Sequence, residues 1–164
     1  MSFMARLHTS QANARAVLRD DAGCVRAAAR ADSWAERIKP EEEPPRLYWV
    51  NHAAVTVTNG RALLRLGRAD QAVRPLADGI RQLNASMIRD RQLYLTDWAE
   101  ALTRPGRQRD VEQAASRGLE AVTLAEELNS TRATQRIHDL RKQLKPHVKV
   151  PIVREFLEQA RELT

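Results

Sequence analysis

Four histidines, one cysteine and two short acidic runs are the residues from which this chain could build a reactive centre. His8, His52, His138 and His147 are scattered, and no two have the close spacing that turns a pair of imidazoles to one helix face around a metal. Cys24 has no identifiable histidine partner. Its neighbours Ala22, Gly23 and Val25 mark it as a small packed residue, and as the sole cysteine it excludes an intramolecular disulfide. Carboxylates adjoin at Asp20-Asp21 and Glu41–Glu43, both in segments read as turns. The glycines are too dispersed to form a phosphate-cradling loop. The expectation is a non-enzymatic chain with no catalytic residue, no metal site and no cofactor. Trp34, Trp49 and Trp98 could stack on a ligand. Each lies among apolar neighbours at helical spacing and is read as core, with Tyr48 and Trp49 the candidates for exposure.

The formal charge of +6 raises the possibility of a nucleic-acid partner. Most of the basic residues are arginines in an alanine-rich chain, a pattern that GC-rich coding also produces. The charge concentrates only at Arg132, Arg136, Arg141, Lys142, Lys145 and Lys149. No apolar run approaches the ~18 residues of a membrane span, and Met1 to Leu7 carries no signal-peptide pattern. The expected compartment is the cytoplasm, with no membrane partner.

Aromatic residues make up 4% of the chain, and strand-favouring runs are almost absent, Val55-Thr56-Val57-Thr58 being the one candidate. Alanine, leucine, arginine, glutamate and glutamine dominate, which predicts an all-α fold. Helices are expected over about Met4–Leu18 and Ala22–Ile38. The prolines and like charges of residues 39–46 read as a solvated linker. A helix over about Leu47–Leu66 stops at Gly67, and Ala69–Leu83 forms its partner. Asp90 is expected to cap a helix that ends before Pro105-Gly106, and Asp110 another that reaches Leu128. Asn129-Ser130-Thr131 is the expected cap of the next helix, which Pro146 stops, and Pro151 opens the last.

Small and large residues recur along these helices. Gly60, the turn glycine Gly67, Ala72 and Leu76 follow the order small, turn, small, large. Ala99, Gly106 and Ala114 follow it with a longer turn, and Ala12 and Cys24 mark a degenerate first unit over residues 5–38. The expected architecture is a single domain, residues 1–164, built as a tetratricopeptide-like α-solenoid of about four antiparallel helix pairs. The alternative is a helical bundle with alanine-rich seams.

Several segments narrow the comparison: Pro45-Arg46-Leu47-Tyr48-Trp49, the stretch Gly60 to Arg68, Arg89 to Leu95, and Leu140 to His147 followed by Val150 to Glu155. Through these, residues 46–164 resemble the C-terminal tetratricopeptide-repeat domain of actinobacterial Xre-type helix-turn-helix transcriptional regulators. The resemblance implies a transcription-associated role in binding a protein or peptide. The DNA-binding domain of those regulators has no counterpart in this sequence, which implies either a fragment or a stand-alone adaptor that reaches nucleic acid only indirectly.

In such a stack the first helix of each pair lines a concave groove. The groove-facing candidates are Asn13, Val57, Arg61, Leu64, Arg65, Thr96, Asp97, Glu100, Arg104, His138 and Arg141. Their mixed charges suit a peptide carrying both signs. An uncapped first repeat would expose Met1, Phe3, Met4 and Leu7 to a second copy, giving a homodimer. The alternative function is direct nucleic-acid binding through the basic stretch at 132–149.

Overall fold

In the computed structural model, which describes residues 1–128 and 130–163, every regular element is helical. The α-helices are α1 (Ser2–Val17), α2 (Asp21–Ala35), α3 (His52–Arg65), α4 (Ala69–Gln82), α5 (Ile88–Thr103), α6 (Val111–Leu128), α7 (Thr131–Leu144) and α8 (Pro151–Glu162). Short 3-10 turns occupy Pro40–Glu42, Pro45–Leu47 and Lys145–His147. Val55 to Thr58 lies within α3, so no strand forms there. The helices pack in neighbouring pairs, α1 with α2, α3 with α4, and α5 with α6, while α7 and α8 pack on each other and on α6. Where the sequence reads as one domain, the contacts divide the chain into two compact units, residues 1–83 and 84–164.

Within the first unit, the two helix pairs end their first helices in the same way. After α1, the Arg19 amide bonds the Ala16 carbonyl at 3.2 Å and the Asp20 amide bonds Arg15 at 2.9 Å. After α3, Gly67 bonds Leu64 at 2.9 Å and Arg68 bonds Leu63 at 3.0 Å. Both are nested closures of a helix C-terminus around a left-handed residue, Arg19 at φ 60° and Gly67 at φ 85°. One constant offset in sequence carries Arg19 to Gly67, Ala12 to Gly60, Cys24 to Ala72 and Ala31 to Gly79.

The small residues are buried where the helices cross. Ala12, Cys24, Ala72, Ala99 and Ala114 are fully enclosed. A methyl group on Gly60 would stand 2.9 Å from Leu76 Cγ and 3.0 Å from the Leu76 amide nitrogen. On Gly79 it would meet the Val57 nitrogen at 2.7 Å. The α3 and α4 backbones therefore approach closely from both sides. In the second unit the same economy admits Phe156 of α8, fully buried, against Gly118 of α6.

Several boundaries differ from the sequence expectation. The helix expected from Leu47 begins at His52, because the Asn51 side chain accepts from the Ala54 amide at 2.9 Å and sets the start there. Val50, just before it, is buried with Ala5, Ala31, Ala35 and Val55. α2 stops at Ala35, and residues 36–38 continue only as turns. Asp90 is not the cap of α5. The helix begins at Ile88 and places Asp90 in its first turn, where a carboxylate still favours the positive helix end. Asp110 does cap α6, accepting from the Gln113 amide at 2.8 Å. Ser130 precedes α7 without a side-chain cap, and Asn129 lies outside the described residues. The acidic linker is only partly solvated: the Glu43 carboxylate accepts from the Ser2 amide at 3.0 Å and stands 2.7 Å from the Met1 amine. It supplies acceptor oxygens at the start of α1, which has no cap of its own.

Candidate functional site

α1 and α3 lie side by side in the first unit and bring Asn13 and Arg65 together. Arg65 Nη1 donates to Asn13 Oδ1 at 2.9 Å, while Asn13 Nδ2 donates to the Thr9 carbonyl at 3.0 Å. Arg19 Nη1 adds a bond to the Arg65 carbonyl at 3.0 Å, closing the exposed end of α3. Arg65 is exposed and Asn13 half-buried, so this polar pair faces solvent on a side formed by the first helix of each pair. Arg61, one helical turn earlier, is half-buried. Val57 and Leu64, expected to face a groove, instead belong to the core: Val57 is 0% exposed and Leu64 9%. The correction has a plain cause at Val57. Gly79 of α4 has no side chain, and the Val57 side chain and backbone occupy that space.

In the second unit α5 and α7 build a charged cluster. Arg136 of α7 forms an ion pair with Asp97, which is 2% exposed, and stands 3.7 Å from Glu100. Glu100 also pairs with Arg104 one turn along α5. Thr103 donates to Gln143 Oε1 at 2.7 Å, tying the same two helices together further on. Thr96 and Asp97 are therefore not groove-lining residues. Thr96 is 1% exposed and donates to the Gln92 carbonyl at 3.0 Å, and Asp97 is buried beneath a guanidinium. Glu100, His138 and Arg141 are half-buried and Arg104 is exposed, so these four retain surface. Arg136, read from sequence as part of a basic stretch, is the partner that sequence reasoning missed. No local signal joined the two, since Arg136 and Asp97 stand on different helices 39 positions apart.

The tryptophans divide as follows. Trp34 and Trp49 pack against the Ala5–Ala31–Val50 cluster, each with a guanidinium over its ring, Arg37 at 5.3 Å and Arg6 at 5.5 Å. Trp98 carries Arg117 at 5.1 Å. Such stacking covers the ring faces with the chain's own cations. Tyr48 is 79% exposed. Cys24 is enclosed, and burial pushes its thiol above the usual range, which removes the thiolate that reactivity requires. Among the described residues, no group of three or more His, Cys, Asp or Glu side chains could hold a metal ion, and no helix is long and apolar enough to cross a membrane.

No protein-family model, curated protein or solved structure matches the chain.

Proposed function

We propose that the chain is a non-enzymatic helical-repeat module that binds a protein or peptide in a regulatory, transcription-associated setting. The observation that carries this reading is the duplicated helix–turn–helix unit: one sequence offset superposes turn closure, crossing residues and buried small positions in two successive pairs. Repetition of that kind is how tetratricopeptide-like arrays present first-helix surfaces side by side. The Asn13–Arg65 pair supplies polar groups for an extended chain on the first unit.

The test is affinity capture from native cytosol with the wild-type chain and an Asn13→Ala/Arg65→Ala variant. A specific partner held by the first and lost by the second is the expected result. Retention of nothing specific, or equal retention by both, would sink the proposal. For direct nucleic-acid binding the basic stretch offers less than its length suggests, since Arg136 pairs with Asp97 and Lys142 with Asp139. A gel shift that vanishes near ~150 mM salt would reduce that reading to phosphate attraction without specificity.

A homodimer through α1 is a second proposal, and it has an observation of its own. Met1, Phe3 and Leu7 are 54%, 66% and 40% exposed, with Met4 half-buried beside them. Burying such a patch against a second copy would remove apolar area from water. Light scattering is expected to show mass rising with concentration in the wild type and constant mass in Phe3→Ser/Leu7→Ser. A monomer throughout would refute it.

A further inference from the structure

α1 leaves an apolar strip uncovered along its whole length. Beyond Phe3 and Leu7, Val17 and Leu18 at the far end are 67% and 77% exposed. Phe3, Leu7, Ala14 and Leu18 follow at intervals of four, seven and four residues, which puts them on one helix face. Beside the strip runs a groove between α1 and α2 whose walls include Gln11, Arg15, Arg26 and Arg30. Gln11 stands one turn after Leu7, so the groove borders the strip. Arg15 is paired with Asp20. Arg26, Arg30 and Arg37 form an exposed row on α2, and Arg26 and Arg30 have no ion-pair partner among the described residues.

A continuous apolar strip marks a contact surface, and charge decides what meets it. α1 bears no acidic side chain, so two copies meeting through this one face would oppose arginine to arginine. The complement lies on α8. Glu155, Glu158 and Glu162 are exposed on one face of that helix, and none has an ion-pair partner among the described residues. The seven-residue step from Glu155 to Glu162 equals that from Arg30 to Arg37, about 10.5 Å along a helix. The four-residue step from Glu158 to Glu162 equals that from Arg26 to Arg30. Ile152 and Leu163, both half-buried, flank the glutamates.

We propose that α1 and α2 of one copy receive α8 of a second copy. The glutamates lie over the α2 arginines, and the flank of Ile152 and Leu163 lies on the α1 strip. Exposed ion pairs each contribute little. The apolar strip therefore supplies the buried area, while the charges select α8 and its register. Each copy carries both faces, so a second copy is a sufficient partner. The inference rests on self-association through α1 and names the surface that meets it.

Analytical ultracentrifugation of the full chain and of charge-reversed variants tests it. The wild type is expected to gain mass with concentration at about 50 mM salt and to associate at least about tenfold more weakly at about 500 mM. Arg26→Glu/Arg30→Glu and Glu155→Arg/Glu158→Arg/Glu162→Arg are each expected to stay monomeric alone. Mixed in equal amounts they are expected to associate again, since each supplies the charge that the other has lost. Should either lose helical circular dichroism, Arg26→Gln/Arg30→Gln decides, with self-association expected to weaken by about tenfold or more. Charge variants that associate as the wild type does, with loss confined to Phe3→Ser/Leu7→Ser, overturn the α8 contact and leave self-association through α1 standing. A mixture that stays monomeric overturns the contact as well. A monomeric wild type removes both and assigns the strip to a different molecule.

Discussion

Asp32 and Asn59 show how one partly buried polar pair sets a pH response. Asn59 Nδ2 donates to Asp32 Oδ1 at 2.9 Å and to the Ala28 carbonyl at 3.2 Å, while Asn59 Oδ1 is buried without a donor. Burial raises the Asp32 carboxyl above its ordinary 3.8, outweighing the Asn59 hydrogen bond that lowers it. A carboxyl raised on folding adds stability below its unfolded value and loses that contribution as pH climbs through the folded one. Asp32→Asn keeps the acceptor for Asn59, removes the charge, and offers an N–H to Asn59 Oδ1. Thermal melts are therefore expected to show a higher Tm than wild type at pH 7 and little difference at pH 3.5. A lower Tm at pH 7 would contradict this account. Asp97 is the opposite case, a buried carboxylate held by a cation. Arg136→Met leaves it with that partner removed and is expected to cost about 2 kcal/mol in urea unfolding, with Arg136→Lys recovering part. Both pairs join positions far apart in sequence, which is why only the individual residues, and not their pairing, could be read beforehand.

At the scale of elements, packing depends on side chains that are absent as much as on those present. Gly118 lets Phe156 enter: a methyl group there would lie 2.7 Å from the ring, at Cε2. Gly118→Ala is expected to destabilise by about 1–3 kcal/mol and Phe156→Ala by about 3–5 kcal/mol. If the ring contact is the cause, Gly118→Ala/Phe156→Ala will lose less than the sum of the two, as a double-mutant cycle would show. Gly67 acts through its backbone. At φ 85° an added Cβ is strained whatever the space around it, and Gly67→Ala is expected to cost about 1 kcal/mol in chemical denaturation. Arg19 already bears such a side chain in the equivalent turn, so Arg19→Gly should stabilise unless its bond to the Arg65 carbonyl offsets the relief. These positions were the legible ones. Gly60, Gly67, Ala72, Ala99 and Ala114 stand out in sequence because small residues among leucines have local causes. The start of α3 was less legible. Tyr48-Trp49-Val50 has helical composition, and it is the Asn51 cap together with burial of Val50 on α1 and α2 that ends the 3-10 segment there.

For the whole molecule, the contacts resolve into residues 1–83 and 84–164, each with its own paired helices. If each unit has a sufficient core, the two expressed separately will each unfold cooperatively with helical circular dichroism, and proteolysis of the intact chain will cut first in the exposed 84–86 segment. Loss of helix in either fragment would show that the units depend on each other. The sequence by itself determined the helical class, the packing of neighbouring helices in pairs and the small residues at the crossings, because propensity, turn closure and periodicity act over a few neighbouring residues. Tertiary structure alone decided which polar residues became surface. It drew Val57, Thr96 and Asp97 into the interior, tied Arg136 to α5, and left Gln92 with an acceptor lacking a donor. Burial depends on what other helices bring to the same place, and no local pattern in α5 or α7 specifies that neighbour.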